Sequence, residues 1–174
     1  IIEEVNIEDL THQVAVSAAG YSTLVLGYNA EIPTGVKAYT VSAANSSYMT
    51  MEEVEGALPA GQAVVIEAEE GSYNFNYTAE TPATVETNLL QGTMFNTLFT
   101  ETGLVLAKPA DDGETVFPVG FYKATMNKTV GETPAWQNNA FKAYLPGSVV
   151  SSNVNALRFN FGGETTAIDA VETE

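Results

Sequence analysis

Few residues in this chain have the types and spacing that chemistry needs. His12 is the sole histidine, so a serine hydrolase triad would have to use it, yet no Gly-x-Ser-x-Gly elbow supplies the serine. On strand-like text near the start, a lone histidine reads as a surface or half-buried residue. Zinc is disfavoured on the same grounds, because the chain has no cysteine and only carboxylates remain as further ligands. Asp111, Asp112 and Glu114 surround Gly113, and three oxygens on a glycine turn could hold calcium. Their spacing does not follow an EF-hand loop, and a plain solvated acidic turn is the reading adopted. Glu52, Glu53 and Glu55 form one acidic cluster, and Glu67, Glu69 and Glu70 another. A glycosidase needs two carboxyl groups roughly 5–9 Å apart across a cleft, whereas these fall at solvated strand ends, where charge also discourages edge pairing. We therefore expect no catalytic residue, no cofactor and no metal site.

Trp136-Gln137-Asn138-Asn139 is the stretch best suited to binding. An aromatic plate beside amide side chains matches a sugar, whose C–H face stacks on the ring while its hydroxyls pair with donors and acceptors. The opposing account folds Trp136 back as a cap on the core, the usual fate of a lone tryptophan in a domain of this size. Tyr122 and Tyr144 could join such a platform, but they fall in strands where burial is the default. Asn45-Ser46-Ser47, Asn76-Tyr77-Thr78 and Asn127-Lys128-Thr129 match the N-glycosylation pattern, which has meaning only in a secreted protein of a cell that glycosylates it.

What must position these residues is set by size and charge. A chain of 174 residues reads as one domain, and folding at that length buries roughly 70% of the surface exposed by the unfolded chain. A core can therefore form without disulfide staples. Six basic residues against 22 acidic ones leave a net charge of −16. Such a surface repels phosphate backbones and anionic lipid, which argues against nucleic acid and peripheral membrane partners. No apolar run approaches the ~18–20 residues of a membrane span. The chain starts at Ile1 without an initiator Met, so we expect a processed product whose targeting segment lies elsewhere.

The elements themselves are short strands. Residues 1–11 read as a lead-in or edge strand, 12–163 as the folded domain and 164–174 as a polar tail. Val14 and Val16 alternate with polar neighbours, Tyr21–Tyr28 suits a strand covered on both faces, and Tyr48–Val54 reads as the hairpin partner of the Tyr39 strand. Ile32-Pro33-Thr34-Gly35 and Leu58-Pro59-Ala60-Gly61 each launch a β-rich run; proline at the second turn position and glycine at the fourth suit type I turns. Tyr73, Phe75 and Tyr77 alternate with Asn74, Asn76 and Thr78, the pattern of a half-buried antiparallel strand. Glu67–Gly71 reads as a hairpin loop, residues 88–99 admit a helical turn, Asn127–Asn139 reads as a polar connection, and Pro146-Gly147 fits a type II turn. About ten strands with turn signals every 8–12 residues predict an all-β antiparallel sandwich, with a jelly roll as one arrangement.

An ordered set of motifs also resembles a known module. Tyr21-Ser22-Thr23-Leu24, Ile32-Pro33-x-Gly35-Val36-x-Ala38-Tyr39, Leu58-Pro59-Ala60-Gly61, Asn88-Leu89-Leu90-x-Gly92-Thr93, Gly120-Phe121-Tyr122-Lys123-Ala124 and Lys142-Ala143-Tyr144-Leu145-Pro146 together resemble an accessory β-domain of exported proteins from gut Bacteroidetes. Thr165–Val171 is similar to the linker that precedes a C-terminal tail in such proteins, although Ala167 stands where glycine is usual. The resemblance implies export to the cell surface or beyond, and a non-enzymatic accessory role toward a glycan or another surface protein. It implies no catalytic residue.

Overall fold

Every regular element of the computed structural model, which describes residues 6–162, is a short strand or a single 3-10 turn. A 3-10 turn at Ile7–Asp9, capped by Asn6 through its Oδ1 and the Glu8 N–H at 3.1 Å, leads into β1 (Thr11–Val16). Then come β2 (Tyr21–Leu24), β3 (Lys37–Ala44), β4 (Tyr48–Glu53), β5 (Val64–Glu67) and β6 (Gly71–Asn76). The second half holds β7 (Gln91–Thr93), β8 (Thr97–Phe99), β9 (Gly103–Ala107), β10 (Gly120–Lys123), β11 (Lys128–Val130), β12 (Thr133–Asn138), β13 (Lys142–Pro146) and β14 (Ala156–Asn160). The expected tail and its linker-like stretch lie outside the described residues.

A nine-stranded sheet in the order β2-β5-β3-β4-β14-β10-β9-β13-β7 forms the body, with the ribbon β1-β6 and the small sheet β11-β12-β8 beside it. All pairs are antiparallel except β14 with β4, which run parallel. Period-2 alternation decides the layers. On one face of the long sheet Leu24, Ala38, Val64 and Ile66 pack with Val14, Val16 and Phe75 of the ribbon. On the other face Val41, Met49 and Val65 meet Leu104, Phe121, Leu145 and Leu157 from the far half of the same sheet. The sheet is thus folded over on itself, and β5, with Val64, Val65 and Ile66 all fully buried, is covered on both faces.

The two ends of this sheet are joined through one residue. Phe141 donates its N–H to the Thr93 carbonyl at 2.7 Å, at the end of β7, and accepts the Val25 N–H at 3.0 Å, next to β2. Among the described residues it is the only non-glycine with positive φ, 65°. The join is reinforced by the Ala143 N–H on the Thr23 hydroxyl at 3.0 Å and by Lys142 Nζ on the Ser22 hydroxyl at 3.1 Å. Both hydroxyl residues are buried, and an unmade bond at such a position costs about 1–3 kcal/mol.

Several local expectations are corrected. Both Pro-x-Gly turns sit one residue later than the type I assignment: Val36 N–H bonds the Pro33 carbonyl and Gln62 N–H that of Pro59. Glycine therefore occupies the third position, with φ of 85° at Gly35 and 81° at Gly61, as a type II turn requires. Glu67–Gly71 is no hairpin loop, since β5 pairs with β2 and β3 while β6 pairs with β1; it carries the chain from one layer to the other. The stretch open to a helical turn holds β7 and β8 instead. Asn88, just before β7, is tied to the sheet by its side chain. Its Oδ1 accepts the Val41 and Leu90 N–H groups, and its amide donates to Gln62 Oε1 and the Ala63 carbonyl. Val41 stands at the bulge where β3 shifts register against β4, so the side chain of Asn88 supplies the acceptor it needs. Asn127–Asn139, expected as a connection, contains the β11-β12 hairpin. Pro146 ends β13 and Gly147 opens a 3-10 turn without positive φ, which excludes a type II turn at that pair.

A left-handed phenylalanine makes a sharp prediction. In an ordinary extended position alanine is more stabilising than glycine by ~0.5–1 kcal/mol. At position 141 the order reverses: Phe141→Gly keeps the backbone bonds and relieves a cost of about 1–2 kcal/mol that Phe141→Ala retains. Urea unfolding should therefore rank the glycine variant above the alanine variant, with both below the parent.

Candidate functional site

The predicted binding quartet lies on β12 and the residue after it, and the strand divides it. Trp136 is not a loop plate. It is only 2% exposed, its Nε1–H donates to the Glu101 carbonyl at 2.8 Å, and its ring contacts Phe99 and Tyr144 at centroid distances of 5.2 and 5.3 Å. A Cβ on Gly103 would stand 2.3 Å from its Cζ2, so glycine there is what lets the indole lie against the β9 backbone. The capping account is the one the structure bears out. Trp136, Phe99 and Tyr144 form the inner wall of a cleft of about 670 Å³, whose rim includes Glu101, Lys123 and Ser148. Tyr144 is buried and donates its hydroxyl to Gln91 Oε1, and Tyr122 donates to the Pro118 carbonyl, so neither is a free platform.

Asn138 is also buried, and its amide is used twice, on Thr93 Oγ1 and on the Lys142 carbonyl, both at 2.9 Å. Gln137 and Asn139 are exposed and bond each other, Gln137 Nε2 donating to Asn139 Oδ1 at 2.9 Å. These two amides line a second cleft, of about 310 Å³, at the place where the long sheet meets itself. Its other walls are Tyr21, Ser22 and Thr23 from β2, Val105 and Leu106 from β9, and Lys142 and Ala143 from β13. The reason for the gap is register. β13 pairs with β9 only at Leu145–Leu104 and Pro146–Gly103, so the two strands part beyond Leu104. Comparison with protein-family models, curated proteins and solved structures finds no match.

Lys142 is a candidate side chain that the sequence left unmarked. Burial holds its ammonium below the ordinary lysine pKa, and its bond runs to a neutral hydroxyl. Among the described residues no carboxylate forms an ion pair with Lys142. His12 lies nearby, its ring 4.6 Å from that of Phe141; burial, and then the charge of Lys142, lower its pKa.

Of the acidic candidates, Asp111, Asp112, Glu52 and Glu67 have structural partners. Asp111 accepts from Lys108 Nζ at 3.0 Å and from the Phe117 N–H, while Asp112 accepts from the Glu114 and Thr115 N–H groups. These bonds lower both carboxyl pKa values. Among the described residues no three acidic or histidine side chains gather as a metal would need, Glu114 included. Glu52 accepts from the Ser42 hydroxyl at 3.2 Å, on β4, and Glu67 lies on β5 with β3 between them. Glu67 receives the hydroxyls of Tyr21 at 2.8 Å and Tyr39 at 3.1 Å, tying β2, β5 and β3 together at one point. Burial, together with this carboxylate, raises both phenol pKa values.

Two measurements check this account. Trp136→Ala should lower stability by about 3–5 kcal/mol, as for large aromatic truncations in cores, which chemical denaturation will read directly. For the phenols, a raised folded-state pKa means that the stabilisation is complete below the ordinary tyrosine value near pH ~10. As pH rises past it the unfolded chain ionises first, so stability falls and is lost through the folded values. Unfolding free energies followed upward from about pH 9 should drop more steeply in the parent than in a Tyr21→Phe/Tyr39→Phe variant.

Proposed function

We propose that this chain is a non-enzymatic accessory module of an exported bacterial surface protein, and that it holds a glycan in the cleft between β2, β9 and β13. The observation that carries the reading is the pair of exposed amides, Gln137 and Asn139, bonded to each other on the wall of a cleft of about 310 Å³ beside Tyr21. That volume is at the lower end of small-molecule sites, which run from ~300 to 1,000 Å³. Exposed amides offer both donors and acceptors to sugar hydroxyls, and each can exchange its present partner for a ligand at little cost. The surrounding Ser22 and Thr23 hydroxyls are already fixed by Lys142 and the Ala143 N–H, so the walls are ordered before anything binds. Preorganisation of this kind reduces the entropy lost on association. Export is supported by the likeness of the ordered motifs to accessory domains of exported proteins, and a non-enzymatic role by the structural partners of Asp111, Asp112 and Glu67.

A glycan array followed by calorimetric titration tests the proposal. Saturable binding that weakens at least about tenfold in a Gln137→Ala/Asn139→Ala variant, with an unchanged melting temperature, is the expected result. Absence of binding across the array, or binding indifferent to both amides, removes the reading.

A further inference from the structure

Resting on that placement of the ligand, we infer that the cleft selects a glycan bearing a single carboxylate, a uronic acid flanked by neutral sugars, and that Lys142 reads the charge. The chain has six basic residues against 22 acidic ones, yet this lysine lies in a cleft wall without a carboxylate partner among the described residues. An ammonium has three N–H donors and no acceptor. One is given to the Ser22 hydroxyl at 3.1 Å, which leaves two for a ligand. The residue is exposed, so a ligand can reach its ammonium, while partial desolvation in the cleft wall lowers its pKa and leaves it matched only by a neutral oxygen. A bound carboxylate supplies what is missing, through a charge-assisted bond stronger than any the neutral amides can make.

The position of Lys142 is fixed by more than its own bond. Its carbonyl accepts from the buried amide of Asn138, and the following N–H, that of Ala143, is held by Thr23. The head group is therefore carried on a backbone anchored on both sides of the join. Gln137 and Asn139, on the neighbouring wall, suit the hydroxyls adjacent to the acid. The net charge of −16 sets the other limit. A long polyuronate meets the repulsion of the whole body, whereas one carboxylate among neutral residues meets mainly the local cation.

The test uses an array of singly charged uronic-acid oligosaccharides printed beside their carboxyl-reduced counterparts, with polygalacturonate as the polyanion. Hits are titrated against the parent, Lys142→Met and Lys142→Arg. We expect a preference of about tenfold or more for the acid over its reduced form, lost in Lys142→Met and largely kept in Lys142→Arg, with polygalacturonate weaker than the singly charged ligand. Melting curves identify any variant that fails to fold, and the comparison of acid with reduced sugar on the parent protein needs no variant. Equal binding of acid and reduced sugar overturns this inference and leaves the glycan reading standing. Binding of neither overturns both.

Discussion

The body of this protein depends on a single phenylalanine backbone held in a left-handed turn. Phe141 receives one end of the long sheet on its carbonyl and reaches the other with its N–H, and the Thr23 and Ser22 hydroxyls add to the same join. L-residues avoid this conformation by roughly 1–2 kcal/mol, so its neighbours must hold it there. The ring does part of this, lying against His12 and the core that β1 and β6 share with the sheet. The join goes with a sheet folded over on itself, in which the apolar residues of β3, β4 and β5 have Leu104, Phe121 and Leu145 opposite them.

Polar side chains inside the molecule serve the same geometry. Asn88, Asn138, Ser22 and Thr23 each bond where a strand lacks a backbone partner: at a bulge, at the end of β12 and at the join. Each has at least one partner, as interior polar groups need if they are to specify one register. The small cleft is a by-product of this arrangement. Where β13 leaves β9 the strands part, and side chains, not backbone ladders, fill the space.

The layers were legible in the sequence because alternation is a local signal. Val14 and Val16, the Tyr73-Phe75-Tyr77 series and the β3-β4 hairpin all lie where two-residue periodicity puts them. Turn register was less legible: Pro-x-Gly announces a turn, but whether glycine stands third or fourth depends on which carbonyl the following N–H meets. The Glu67–Gly71 crossing was hidden, since a glycine-ended acidic loop is the same text whether it joins partners in one sheet or carries the chain between two. The binding quartet was legible as a stretch, but its division into buried and exposed members was not: the indole of Trp136 lies against Gly103, 33 positions away, in a contact no local pattern reports. Lys142 and Ser22 lie 120 positions apart, and nothing in either neighbourhood signals the other.

The strand order carries a consequence for how the chain is made. β14, the last described strand, does not lie at an end of the long sheet; it stands in the middle, between β4 and β10. During synthesis from the amino terminus, β4 and β10 each present an unfilled flank until Ala156–Asn160 has left the ribosome. Vectorial growth therefore cannot complete the fold strand by strand. A late strand set between two earlier ones makes pairings of long sequence separation, the kind of topology that goes with slow folding.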